Sequence, residues 1–103
     1  MYIYNVTVNV EETVHQQWLK WMKETYIPEM LQTNLFTNAR MLRVMVDEEM
    51  GGITFSVQYY AKDKESLQRY YSEYLDAFKI KERQRFSDQL VSFTTELEVL
   101  SEH

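Results

Sequence analysis

Cysteine is absent from this chain of 103 residues. Without a thiol there is no disulfide framework, no thiolate nucleophile and no cysteine-based metal site, and a small secreted domain stapled by disulfides is a poor match. Proline occurs once and glycine twice, which argues against fibrous or loop-rich chains and for regular elements joined by short turns. No apolar run approaches the ~20 residues that a membrane-spanning helix needs. The opening residues Met1 to Asn5 hold neither a basic nor an apolar stretch, so no signal peptide is expected and the reading is a soluble cytoplasmic protein without membrane attachment. Positive charge is also scarce: 11 basic residues against 16 acidic ones give a formal net charge of −5, which opposes binding to nucleic acid. What the chain does have is core material. Hydrophobic residues make up 45%, with 8 Tyr, 5 Phe and 2 Trp, a balance incompatible with disorder. The length predicts a single domain over residues 1–103.

Tyr2 to Val10 alternates Tyr2, Tyr4, Val6, Val8 and Val10 with Ile3, Asn5, Thr7 and Asn9, the period of a strand with one buried face. Glu11, Glu12 and Thr13 open a helix, with Thr13 as its expected cap. Val14, Trp18, Trp21, Met22 and Thr25 follow at spacings of three and four, which places both indoles on one helix face. Pro28 is expected to end or kink this helix near Ile27. Phe36 to Asp47 reads as a second strand, with Met41, Arg43 and Met45 on one face and Leu42, Val44 and Val46 on the other. Asp47 to Gly52 is a hairpin loop, and Ile53 to Ala61 a third strand. Asp63 caps a second helix whose stripe is Leu67, Tyr70, Tyr71, Tyr74, Leu75 and Phe78, and the basic run Lys79 to Arg85 ends it or carries it on. Leu90 to Leu100 is a fourth strand, with Val91, Phe93, Leu97 and Val99 assigned inward. The order β-α-β-β-α-β predicts a ferredoxin-like α+β fold, a four-stranded antiparallel sheet with two helices on one face.

Such a sheet leaves its other face open. The residues assigned to it are Ile3, Asn5, Thr7, Asn9, Thr54, Ser56, Gln58 and Tyr60, with Met41, Arg43 and Met45 from one edge and Glu96 and Glu98 from the other. Either water covers this face, a common antiparallel arrangement, or a second copy packs on it to close a dimeric α/β barrel. In the second case Arg43 of one subunit is expected to meet Glu96 or Glu98 of the other.

Candidate chemistry is sparse. His15, in the first turn of helix one, is a general-base candidate beside Asn5, but spacing fixes no nucleophile next to it and an exposed polar residue is the simpler reading. One internal histidine is too few for zinc, and Asp47-Glu48-Glu49 lacks the spaced ligands of a calcium loop, so neither a metal nor a cofactor is expected. Tyr2, Tyr4, Trp18, Trp21 and Tyr26 are able to line an apolar pocket between the sheet and helix one, although core packing also accounts for them. The candidate ligand-binding set is Trp18, Trp21, Tyr26, Arg43 and Tyr60. Gly52 to Val57 echoes the aromatic strand of RNA-binding modules, but Ile53 and Gln58 stand where aromatics belong and Phe55 shares the core face.

The segments Tyr4 to Val10, His15, Trp18, Trp21-Met22, Ile27-Pro28, Leu42-Arg43-Val44, Gly51-Gly52, Gln58-Tyr59 and Thr95 to Leu100 resemble domain of unknown function family 4286, small bacterial proteins, from Met1 to Leu100. That family usually has a histidine just before its Ile-Pro pair, where this chain has Tyr26. The resemblance implies no activity. The element order is also similar, at the level of the fold, to dimeric α/β-barrel proteins, which include cofactor-free monooxygenases, haem-handling enzymes and plain ligand binders. Helix two lacks the histidine that the haem-degrading branch would use. The reading is a homodimeric small-molecule-binding or interaction module; the alternative is a cofactor-independent monooxygenase or isomerase that works in the pocket of Asn5, His15, Trp18 and Trp21.

Overall fold

The alternation of Tyr2 to Val10 is realised as strand β1 (Tyr2–Val10), which lies at the centre of a sheet of order β2-β3-β1-β4. The computed structural model describes residues 1–46 and 51–103. Strands β2 (Asn38–Arg43), β3 (Ile53–Ala61) and β4 (Leu90–Glu98) complete the sheet, and every neighbouring pair is antiparallel. The even residues of β1 meet Phe55, Val57, Tyr59 and Ala61 of β3. Opposed residues share a face in an antiparallel pair, so these two central strands form the floor of the core.

Two helical arms cover that floor. The first is α1 (His15–Trp21), a π-helical turn (Met22–Tyr26) and α2 (Ile27–Gln32). Val14, rather than Thr13, occupies the cap position, and no side chain caps the helix. Pro28 neither ends nor breaks the arm. It sits in the first turn of α2, and the wider turn before it lets the Ile27 N–H reach back to the Met22 carbonyl. A π-turn is one of the few ways a helix absorbs a shift in its backbone ladder. It also keeps Trp18, Met22, Tyr26 and Met30 buried together. In a pure α-helix that four-residue spacing would rotate the row by about 40° at each step.

The second arm is α3 (Lys64–Glu73) and α4 (Leu75–Phe86), divided at Tyr74, so the basic run continues the arm. Asp63 caps α3 as expected, accepting from the Ser66 N–H at 2.8 Å. Hydrogen bonding from the Ser66 hydroxyl, and then from this N–H, holds the Asp63 carboxyl below its ordinary value. The arms are tied by an ion pair from Lys81 to Glu29, and α3 is tied to β4 by the Tyr71 hydroxyl, which donates to Glu96 at 2.8 Å. Among the described residues no helix is long and apolar enough to cross a membrane.

Two strand faces are the reverse of the sequence expectation. Met41 opposes Val57 and Arg43 opposes Phe55, so Met41 and Arg43 belong to the helix-covered side of β2, and Arg40 and Leu42 to the open side. In β4, Val91, Phe93, Thr95 and Leu97 oppose Asn9, Thr7, Asn5 and Ile3, which places the apolar set on the open face. Ser92, Thr94, Glu96 and Glu98 turn toward the helices. Strand β2 is also shorter than expected, and the Asp47 to Met50 part of the expected Asp47 to Gly52 hairpin loop lies outside the described residues.

Candidate functional site: an aromatic cavity under the helical arms

The helix-side row of β1 brings Tyr4, Val6 and Val8 beneath the first arm, and β3 adds Val57 and Tyr59 beside them. Trp18, Met22, Tyr26 and Met30 descend from above, and Tyr70 and Glu82 close the second side. Together these residues bound a cavity of about 60 Å³ that continues past Lys79 to Ser92 and Thr94 of β4. Its walls are mostly aromatic. Tyr4 packs on Tyr70 at 5.2 Å and on Tyr59 at 6.1 Å between ring centres, and Trp18 packs on Phe55 at 5.0 Å.

Three features of this wall exceed what a core needs. Four phenols converge, with the Tyr70 hydroxyl interacting with those of Tyr4 and Tyr26. Burial pushes Tyr4 up to about 12, only partly offset by hydrogen bonding from Tyr70. Burial raises Tyr26, Tyr59 and Tyr70 as well, so all four phenols are neutral at physiological pH. The indole N–H of Trp18, 1% exposed, has no acceptor among the described residues. A buried donor left unpaired costs about 1–3 kcal/mol. Glu82 has neither an ion-pair nor a hydrogen-bond partner among the described residues, and burial raises its carboxyl above the ordinary range. The cavity thus offers one indole donor, four neutral phenols and one carboxyl able to exist in the protonated form.

The sequence candidates divide between several places. Trp18 and Tyr26 line the cavity, as does Tyr4. Trp21 does not share the Trp18 environment. It packs tilted against Tyr26 at 5.0 Å and edge-on against Phe86 at 5.2 Å from the outer side, between the arms. His15 is remote from the cavity: Nδ1 lies 2.7 Å from the Glu12 carbonyl, which only accepts, so Nδ1 donates and Nε2 accepts from the Gln16 carboxamide. Asn5 is buried on the opposite face of the sheet, bonded to Ser56, Thr7 and Thr95 hydroxyls. Tyr60 also belongs there, donating to Gln58 at 3.4 Å beneath the Arg40 guanidinium. Arg43 stands on the β2 edge, away from all of these. Sequence reading did not single out Tyr59, Tyr70 or Glu82. For Glu82 a signal exists: it stands midway between the buried Phe78 and Phe86, four residues from each. Among the described residues, no group of three His, Cys, Asp or Glu is placed to hold a metal ion.

Residues 1–100 match the family described as Domain of unknown function (DUF4286). The chain belongs to that family. A search of curated proteins gives no match. Among solved structures, a dimeric ferredoxin-like protein from an uncultured marine organism is similar over 99% of this chain and 97% of its own, with a TM-score of 0.75 and 14% identity. An ethyl tert-butyl ether d (EthD) family protein from Bacillus halodurans aligns over 95% of this chain and 100% of its own, with a TM-score of 0.66 and 17% identity. A protein of Arabidopsis thaliana aligns over 97% and 99%, with a TM-score of 0.64 and 11% identity. At such identities the likeness is one of fold.

Proposed function

We propose that this member of DUF4286 is a single-domain cytoplasmic protein that binds a small molecule in the aromatic cavity and works as a homodimer. The observation that carries the reading is the buried Trp18 N–H without an acceptor, in a wall that also holds the unpaired Glu82. A well-packed core satisfies its polar groups, and a cavity with a few convergent polar groups is the usual form of a ligand site. The dimer rests on a second observation. Val91 and Phe93 are 72% and 64% exposed on the open face, with Leu97 further along β4 and Leu42 on the opposite edge strand, β2. Large apolar side chains gathered on one exposed sheet face mark an interaction surface, and a solved relative in fold is described as dimeric.

Glu82 favours one second reading, the isomerase. A half-buried carboxyl of raised pKa among neutral phenols is suited to take a proton from a bound ligand and return it elsewhere. In that case Glu82→Gln abolishes turnover and His15→Ala does not.

Native mass spectrometry of freshly purified protein, paired with melting curves across a small-molecule panel, tests the main reading. A two-subunit mass and a ligand-dependent rise in melting temperature are expected. A monomer that no compound stabilises would overturn it.

A further inference from the structure

The cavity continues into a surface pocket of about 240 Å³ lined by Lys79, Glu82, Arg83, Ser87, Leu90 and Ser92. Lys79, Glu82 and Ser92 belong to both spaces, so this pocket is the cavity mouth. Lys79 and Arg83 stand one turn apart on α4, and neither has an ion-pair partner among the described residues. Lys81, between them in sequence, is paired with Glu29. In a chain of net charge −5, two cations left unpaired at the entrance to an apolar chamber are a local reversal of the protein's field, of the kind that draws in an anion. Burial raises the Glu82 carboxyl above its ordinary value.

We propose that the ligand is a small monocarboxylate, its anionic head held at the mouth by Lys79 and Arg83 and its apolar body inside the aromatic cavity; this rests on the binding reading given above. Arginine presents a fork that matches a carboxylate, and lysine adds a mobile point charge. The Ser87 and Ser92 hydroxyls are available as further donors. A head of one charge fits better than a dianion, because the Glu82 carboxyl forms part of the same rim. Size follows from the chamber. At about 15 Å³ for each occupant the size of a water molecule, 60 Å³ takes about four heavy atoms, the body of a short aliphatic acid rather than a fused aromatic. An acceptor on that body, a carbonyl or hydroxyl oxygen, would satisfy the Trp18 N–H.

The test is an NMR titration of the full chain with butyrate and with butyramide, which share shape and differ in charge. Wild type is expected to bind butyrate at least about tenfold more tightly, and Lys79→Gln and Arg83→Gln each to remove most of that preference. Both residues are exposed, so melting temperatures within a few degrees of wild type are expected and serve as the folding control. Equal binding of the two compounds, or a preference that both variants retain, overturns the head-group assignment and leaves the cavity reading standing. If neither compound binds, the proposal fails. If no uncharged compound reaches Trp18 either, the binding reading fails with it.

Discussion

Glu82 gives the cavity its pH dependence. Its carboxyl is raised by burial above the ordinary value of 4.5, so the folded state holds this proton more tightly than the unfolded state does. The stabilising contribution is complete below pH 4.5 and is lost as pH rises through the folded value. Glu82→Gln keeps the size and removes the charge. The variant is expected to melt above wild type at pH 8 and at the same temperature near pH 4, as thermal scans at the two pH values would show. A wild type more stable than the variant at pH 8 would mean that the carboxylate has a partner. The other site residues were unevenly legible in the sequence. Trp18, Tyr26 and Tyr4 announce themselves as large aromatics on strand and helix periods. Glu82 is concealed by its neighbours, because Lys79 to Arg85 reads as a solvated basic stretch. Tyr59 and Tyr70 read as ordinary core, and only the fold shows that their hydroxyls converge. Asn5 and His15 are the opposite case, polar residues whose partners lie elsewhere: sheet hydroxyls for one, a backbone carbonyl for the other.

At the scale of elements, the order of strands and helices was readable because β1 and β3 carry strong alternation and Asp63 is a local cap. The departures have local causes. Pro28 is expected to end or kink its helix; instead a π-turn just before it carries the arm on into α2, and Tyr26 at the end of that turn lines the cavity. The faces of β2 and β4 were reversed because apolar residues were assigned to the core of their own chain. Strand β4 is an edge, and all of Val91 to Glu98 is exposed. Its alternation fits the second copy proposed above. The β3 entrance depends on Gly52, whose φ of +79° is in the region open to glycine and whose Cβ, if present, would meet the Asn9 carboxamide. Gly52→Ala is expected to destabilise by about 1–3 kcal/mol in chemical denaturation. A neutral result would show that the turn relaxes freely.

For the whole molecule the two faces of the sheet divide the work: the helix side encloses the cavity, and the open side presents the Val91, Phe93 and Leu97 row. Face-to-face pairing would bury that row against its copy. It would not join Arg43 to Glu96 or Glu98, since all three lie on the helix side of the sheet. Phe93→Asp is expected to shift the sedimentation of a micromolar sample from dimer to monomer, because an unpaired carboxylate would be driven into an apolar interface. A variant that stays dimeric would place the interface elsewhere. The central claim is that a small molecule occupies the aromatic cavity and accepts from Trp18. The most direct measurement follows the two tryptophan indole N–H resonances through a panel of small acids, amides and alcohols. The account predicts that at least one compound class moves the Trp18 resonance and leaves that of Trp21, on the outer side of the arm, in place; a Trp18 resonance unmoved by every compound would contradict it.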